Sequence, residues 1–181
     1  TMNEDALAYR LQRGLDQKDE QMALLVQRVS GSHRHHHFFP DMAGVGVSHN
    51  TFLWREGMNQ DAGMLRLVLW LGTRAVNRVE NDYPRIVALD NPLFRPHSGI
   101  DEIRKFSQRE MDVLDTEQNT LRSVPLAREL SQNPTMPLDL LALRDYETME
   151  RMRDRGGRFT ESLIVTFDEL LSRTPFPAYM Q

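Results

Sequence analysis

Four histidines crowd one short segment, and their residue type makes them the first candidates for metal chemistry. His33, His35, His36 and His37 lie close together in S-G-S-H-R-H-H-H-F-F-P-D. Neutral imidazole is a common zinc ligand, but a closed zinc site needs four ligands in tetrahedral geometry. Adjacent histidines on a strand point to opposite faces, and the chain has no cysteine, so acidic residues from elsewhere would have to complete the site. The spacing favours a solvated basic loop, and metal binding by this run is left open.

Arginine supplies nearly all of the positive charge, and this favours binding of carboxylates or phosphates. Only two of the 22 basic residues are lysines, Lys18 and Lys105. The planar guanidinium group can donate two parallel hydrogen bonds to one phosphate or carboxylate group. The arginines nearest to apolar runs are Arg28, Arg66, Arg74 and Arg78. Surface ion pairing is the ordinary role of such arginines, and phosphate binding is the alternative.

The composition excludes several other kinds of chemistry. The chain has no cysteine, so disulfides, thiolate metal sites and thiol nucleophiles are absent. No Ser-His-Asp arrangement can be defended, because only His49 and His97 lie outside the histidine segment. The net charge of -4 gives no field that would draw the chain onto nucleic acid or an anionic membrane. We therefore predict no nucleic-acid partner and no membrane partner.

Length and composition are typical of one soluble domain. The chain has 181 residues, of which 40% are apolar and 27% are charged. No apolar stretch is long enough to cross a membrane. A signal peptide begins with basic residues, whereas the first residues of this chain are acidic. These features predict a cytoplasmic protein. Thr1 before Met2 is typical of a residue left by an expression tag, so we expect the sequence to be part of a longer protein.

Three apolar runs predict the strands that would position a site. They are rich in Val, Leu and Met and are bounded by Gly, Pro, Asp or Ser, as buried strands are. The runs are residues 22–29, 42–47 and 64–71. Three neighbouring strands can form one sheet. Arg66 interrupts the third run and indicates one solvent-facing side, and the small residues of the second run indicate close approach of another backbone or a ligand.

The remaining segments predict short helices and strands, and hence an α+β fold with a mixed or antiparallel sheet and flanking helices. Leu7, Leu11 and Leu15 recur at helical spacing after Asn3, which can cap a helix. Residues 138–143 are compatible with a strand or a helix. The other predicted elements are a helix at 74–79, an edge strand at 83–89, a hairpin of 105–115 and 120–124, helices after Pro125 and over 146–155, a strand at 162–167 and a helix capped by Asp168.

Three segments also follow each other in the order of known family motifs. They are V-Q-R-V at 26–29, A-G-V-G-V-S-H-N at 43–50 and L-R-L-V-L-W-L-G-T-R-A-V at 65–76. This order resembles the nucleotide-binding domain of phosphoenolpyruvate synthase and pyruvate phosphate dikinase, which has V-Q-x-M-V, S-G-V-x-F-T-x-D-P and a strand ending in G-L-G-E. Later segments, such as D-Y-P-R-I-V-A-L, resemble a bacterial branch described as phosphoenolpyruvate/pyruvate-binding proteins. The resemblance covers most of the chain from about residue 22 onward.

The resemblance implies an ATP-grasp fold, in which ATP lies between two α+β subdomains. It implies that Gln27, Arg28 and Val29 bind adenine through backbone groups, with Val26 or Val29 packing on the ring, and it makes Arg74 a candidate phosphate ligand. It also implies ATP and Mg²⁺ as cofactors of the full-length parent. That parent would transfer phosphate from ATP through phosphohistidine to pyruvate, so pyruvate and phosphoenolpyruvate are partners by resemblance only.

The chain departs from the family pattern in ways that bear on catalysis. Trp70 and Thr73 stand where G-L-G-E has its first Gly and its Glu, and the second motif lacks its acid. The family's phosphate-binding Lys and Arg precede the first motif, its Asp-Ile-Glu and Gln-x-Arg-Pro follow T-P-F, and the 181 residues include neither group. Phosphoryl transfer depends on positioning and on charge neutralisation. We therefore expect the chain alone to be catalytically inert.

Two functional hypotheses follow from these motifs. The first is a fragment of an ATP-dependent phosphotransferase, with residues 1–95 as a nucleotide-binding subdomain and residues 96–181 as an α+β extension that contains a β-hairpin and ends before the family's metal-binding motif. The alternative is a non-catalytic regulatory or interaction module that kept the fold, which Thr73 supports because it replaces the acid. The phosphoryl acceptor and the oligomeric state are left open.

Overall fold

Three antiparallel sheets and eight short helices form the part of the chain that the computed structural model describes, which is residues 3–19, 23–77, 79–133, 136–156 and 162–180. The strands are β1 (Ser32–Arg34), β2 (His37–Phe39), β3 (Met42–Val47), β4 (Met64–Leu69), β5 (Arg85–Ala88), β6 (Glu110–Asp115), β7 (Thr120–Pro125), β8 (Ala142–Arg144) and β9 (Leu163–Val165). The helices are α1 (Glu4–Gln12), α2 (Thr73–Val76), α3 (Ile100–Lys105), α4 (Leu126–Gln132), α5 (Leu138–Leu141), α6 (Tyr146–Arg155), α7 (Asp168–Arg173) and α8 (Phe176–Met180). The predicted α+β class is confirmed.

Strand order shows how the segments combine. The largest sheet has the order β1-β2-β6-β7, the second has the order β3-β4-β5, and β8 pairs with β9. The pairing of β2 with β6 joins residues on both sides of position 95 in one sheet. The division of the chain into residues 1–95 and 96–181 stays a prediction.

The second and third apolar runs form strands as predicted. β3 and β4 pair along their whole lengths, with Gly44 opposite Leu67. A Cβ atom on Gly44 would lie 2.7 Å from the carbonyl oxygen of Arg66, so the close backbone approach expected of this strand is present. All residues of β4 except Arg66 are buried, which explains why its sequence is apolar on both faces.

The first predicted strand is wrong over residues 23–29. These residues have no regular secondary structure, and their side chains are exposed, Val26 to 91%. Residue 22 lies outside the described residues. The three-stranded sheet is completed by β5 instead, on the far side of β4 from β3. An apolar run becomes a strand only when a neighbour satisfies its backbone groups, and no described strand pairs with this run.

The histidine segment, predicted to be a loop, forms the β1–β2 hairpin. His35 lies in its turn with φ 53°, and His37 pairs with Asp115 of β6. At the end of β2, Phe39 is fully buried. Such short strands carry little apolar periodicity, and β2 is held by pairing with β6, which lies much later in the chain.

Helix ends largely follow their local sequence signals. Asn3 caps α1 by accepting a hydrogen bond from the Ala6 amide at 2.9 Å, and α6 ends at Gly156 in the left-handed conformation, φ 71°. Residues 138–143 divide between α5 and β8. Asp168 is the first residue of α7 rather than its cap, a position that Phe167 takes. No helix in the described ranges is both long and apolar enough to cross a bilayer.

Phe39 and Trp70 join the two larger sheets in the core. Both side chains are fully buried, and their ring centroids lie 4.1 Å apart. Trp70 follows β4 with φ 72°, a left-handed conformation that favours glycine. It stands where the G-L-G-E motif has its first Gly, so the backbone shape that suits glycine is kept while a large side chain fills the core.

Candidate functional site

A cavity of about 410 Å³ lies beside β5 and is lined by aromatic and arginine side chains. Its size falls in the range of roughly 300 to 1,000 Å³ that is typical of small-molecule sites. We call it the arginine pocket and define it by four aromatic residues and three arginines. These are Phe52, Trp54, Tyr83, Phe106, Arg66, Arg85 and Arg95.

The aromatic residues form two groups in the pocket lining. In the first, the ring centroids of Phe52 and Trp54 are 5.6 Å apart. In the second, Phe106 stacks on His97 at 4.2 Å with an angle of 11° between the rings, and Tyr83 approaches Phe106 edge-on at 5.4 Å. Flat apolar surfaces of this kind suit a planar ring system, which gains energy by stacking and by leaving water.

Arg85 and Arg95 share one carboxylate. Asp168 accepts a hydrogen bond from Nε of Arg95 at 3.0 Å and lies 3.8 Å from Nη2 of Arg85. The side chain of Arg85 is 9% exposed and donates to the carbonyl oxygens of Ile86 and Phe94 at 2.7 and 3.1 Å. Burial, together with the charge of Arg95, lowers the pKa of Arg85 to about 10. Arg85 is therefore still charged at neutral pH, and one carboxylate faces two guanidinium groups.

Arg66 differs from the other two arginines of the pocket in its hydrogen bonds. It is half-buried, and its buried Nε has no hydrogen-bond partner. Within the described part of the chain its side chain forms no hydrogen bond or ion pair, so the charge of its guanidinium group is not balanced by the protein there. In the sequence, Arg66 stands out because it interrupts an apolar run. No comparable local signal marks Arg85 or Arg95.

Arg74, by contrast, is buried in an ion-pair network. It is 6% exposed, and its guanidinium group donates to Asp82, to Glu110 at 3.1 Å, to Asp112 at 3.0 Å and to Ser123 at 2.9 Å. We call these five residues the Arg74 cluster. Because every guanidinium nitrogen is used, the observed role of Arg74 is to tie α2 to the β6–β7 hairpin. Its predicted contact with phosphate stays a prediction.

Charges within the Arg74 cluster shift the pKa values of its members. Burial by itself lowers the pKa of Arg74, but hydrogen bonds to Asp112 and Asp82 outweigh that effect and raise it. Burial by itself raises the pKa of Asp112, but hydrogen bonds from Thr73, Ser123 and Arg74 outweigh it and hold the pKa below its ordinary 3.8. Thr73, which replaces the acid of G-L-G-E, is thus a hydrogen-bond donor to Asp112.

The lowered pKa of Asp112 predicts a specific dependence of stability on pH. A carboxyl group whose pKa falls on folding stabilises the protein above its unfolded-state pKa, and this contribution is lost as the pH falls through the folded-state value. We expect Asp112→Asn to be less stable than the wild type at pH 7. The difference should narrow below about pH 4, where the wild-type carboxylate becomes protonated. Urea unfolding of both proteins between pH 7 and about pH 2.5 measures the effect, and a constant difference over this whole range would contradict it.

The residues predicted to bind adenine lie apart from both cavities that we describe. Val26 is 91% exposed and Val29 is 49% exposed, and Gln27 and Arg28 are also exposed. None of the four lines the arginine pocket or the second cavity, which is described next. The structure therefore does not bring them together with Arg74, and their role in binding adenine stays a prediction.

The histidine segment contributes to a second cavity, of about 560 Å³. Nδ1 of His36 lies 2.7 Å from a carboxylate oxygen of Glu117, and Nδ1 of His37 lies 3.2 Å from one of Glu129. Among the described residues, no group of three or more His, Asp or Glu side chains is placed to hold a metal ion. Each of these two histidines is thus observed with one carboxylate.

Comparison with known proteins gives one family match. The model of the family "Pyruvate phosphate dikinase, AMP/ATP-binding domain" matches residues 1–154. No curated protein and no solved structure matches the chain significantly. The matched range includes α1 to α5 and the three-stranded sheet. It also includes the lining residues of the arginine pocket, with the exception of Val165.

Proposed function

Because the chain belongs to the pyruvate phosphate dikinase AMP/ATP-binding domain family, we propose that it binds ATP and AMP. The family match carries this proposal, since it covers all but the last part of the chain. The arginine pocket supports it, because the pocket combines aromatic surfaces with positive charge. Adenine nucleotides combine an aromatic base with phosphate groups, and arginine and aromatic side chains bind these two parts respectively.

We further propose that the parent protein is a cytoplasmic ATP-dependent phosphotransferase that acts on pyruvate or phosphoenolpyruvate. Mg²⁺ would accompany ATP and neutralise phosphate charge. The residues present do not supply an evident site for that ion, because Asp82, the carboxylate in the pocket lining, already accepts hydrogen bonds from Arg74 and from the Arg109 amide. We therefore assign no Mg²⁺ ligand to this chain.

Calorimetric titration tests the proposed binding directly. We expect both ATP and AMP to give binding heat. Ligand at about 100 times its Kd should also stabilise the folded chain by about 2.7 kcal/mol, seen as a higher unfolding temperature. Absence of both heat and stabilisation with ATP and with AMP would contradict nucleotide binding.

The alternative function is a non-catalytic module that kept the nucleotide-binding fold. The hydrogen bond from Thr73 to Asp112 favours this alternative. Thr73 stands at the position of the acid in the G-L-G-E motif, and its side chain there holds a residue of the Arg74 cluster. Both functions allow ATP binding, so turnover has to separate them. A parent protein that binds ATP and forms no phosphoenzyme or phosphorylated product would support the module.

A further inference from the structure

We propose that the arginine pocket holds the nucleotide, with its aromatic side chains against the base and with Arg66 as the residue that binds the phosphate groups directly. The ligand class, a nucleoside polyphosphate, rests on the proposed function. The assignment of Arg66 rests on the unbalanced charge and the free hydrogen-bond donors of this pocket. The sequence also offered Arg66 as a candidate for phosphate binding, but the residue selected from the sequence as the phosphate ligand was Arg74.

Charge in the pocket lining leaves room for an anion. Arg66, Arg85 and Arg95 line the cavity, and Asp82 is the one carboxylate among the lining residues that the structure describes. Asp82 is engaged by Arg74 of the Arg74 cluster. Asp168 lies near Arg85 and Arg95 but neutralises at most one of them. The described lining is therefore positive, and placing an anion there would reduce the repulsion between its arginines.

Hydrogen-bond donors distinguish Arg66 from the other two arginines. Arg85 uses both terminal nitrogens on carbonyl oxygens, and Arg95 uses Nε and Nη2 on Asp168 and on the carbonyl oxygen of Thr166. The side chain of Arg66 makes no such bond within the described ranges. Its Nε is buried without an acceptor, as is Nε of Arg85, but unlike Arg85 it also has no described acceptor for its terminal nitrogens. A buried donor that lacks an acceptor is unfavourable, and a phosphate accepts two hydrogen bonds from one guanidinium group. The guanidinium group of Arg66 is therefore free to donate two hydrogen bonds to a phosphate group, whereas Arg85 and Arg95 contribute positive charge.

The shape of the pocket fits a ligand with one aromatic and one anionic end. The Phe52–Trp54 pair and the group around Phe106 provide ring surfaces in the same cavity as Arg66. Stacking on aromatic side chains holds a base with little dependence on its hydrogen-bonding edge. A free phosphate would use only the arginine end, so adenosine and inorganic tripolyphosphate separate the two halves of the site.

The decisive variant is Arg66→Gln, titrated with ATP, tripolyphosphate and adenosine. Its matched control is Arg151→Gln, which removes the same charge from an exposed i,i+4 pair with Glu147 on α6. We expect Arg66→Gln to weaken ATP and tripolyphosphate about 10- to 100-fold, because a charge-assisted bidentate contact is lost. Adenosine binding should be unchanged in both variants, and ATP binding should be unchanged in Arg151→Gln.

A second variant protects the test from a folding defect. Arg66→Lys keeps the charge and removes the planar fork, so we expect it to fold as the wild type does and to bind tripolyphosphate with intermediate affinity. Circular dichroism of each variant checks its fold. Wild-type affinity for tripolyphosphate in both Arg66 variants would overturn the assignment.

The outcomes separate the assignment from the proposed function. If ATP binds equally well to the wild type and to both Arg66 variants, nucleotide binding stands and the role of Arg66 is wrong. If tripolyphosphate binds in an Arg66-dependent way but ATP shows no binding, the anion site stands and nucleotide binding is wrong. Loss of adenosine binding in Arg66→Gln would also overturn the assignment, because Arg66 would then act on the base or on the fold.

Discussion

Arg74→Met is expected to lower the free energy of unfolding by about 3 to 5 kcal/mol, which is the usual effect of removing one partner from a buried ion pair. The substitution keeps an apolar side chain of similar length but leaves Asp82 and Asp112 without their shared cation. Both residues are buried, so water cannot replace the lost hydrogen bonds easily. Urea unfolding followed by circular dichroism at pH 7 measures the loss.

The matched control for this variant is Arg151→Met. Arg151 pairs with Glu147 on the surface of α6, where both side chains are more than 60% exposed. Exposed i,i+4 pairs contribute about 0.3 to 0.5 kcal/mol, so this variant should unfold almost as the wild type does. Combining Arg74→Met with Asp82→Asn should recover part of the loss, since one uncompensated charge is then removed. Similar losses in Arg74→Met and Arg151→Met would show that the Arg74 cluster does not stabilise the fold.

Trp70→Ala is expected to cost about 3 to 5 kcal/mol, because it opens a cavity between the two larger sheets. Trp70 is fully buried, and its ring lies 4.1 Å from that of Phe39. Trp70→Gly should be no more destabilising than Trp70→Ala, although glycine usually costs about 0.5 to 1 kcal/mol more than alanine within regular structure. The reason is that position 70 has φ 72°, where alanine is strained and glycine is not.

The other tryptophan of the chain gives the comparison for this prediction. Trp54 is half-buried in the wall of the arginine pocket, so Trp54→Ala should cost clearly less than Trp70→Ala. Chemical unfolding of the three variants, followed by circular dichroism rather than by tryptophan fluorescence, gives the values. If Trp70→Gly proves less stable than Trp70→Ala, backbone strain at position 70 does not contribute as described.

Strands with a local apolar pattern could be predicted, and strands that depend on a distant partner could not. β3 and β4 are apolar runs of strand length that lie side by side, and their predictions are confirmed. Residues 23–29 carry an equally apolar run but no described partner, and they form no strand. β2 has only three residues, too few to show an apolar pattern, and it exists because β6 lies beside it. Composition indicates the tendency to extend, and pairing decides whether a strand forms.

The roles of the arginines in the candidate site could not be predicted from the sequence either. The sequence placed Arg66 and Arg74 near the apolar strands, and it gave no means of separating their roles. Arg74 meets carboxylates from the loop after α2 and from β6, so it is enclosed by protein. Arg66 faces residues that contribute no carboxylate to it in the described part of the chain. The partner of a charged side chain is set by tertiary folding, which spacing along one segment does not reveal.

Asp82 belongs both to the Arg74 cluster and to the wall of the arginine pocket. One of its carboxylate oxygens accepts from Arg74, and the other accepts from the backbone amides of Arg109 and Glu110. Folding therefore fixes Asp82 in place, and with it the start of the pocket wall that continues into Tyr83. A ligand that binds beside Asp82 should lose little affinity to ordering of this wall, because the wall already lost its conformational entropy when the protein folded.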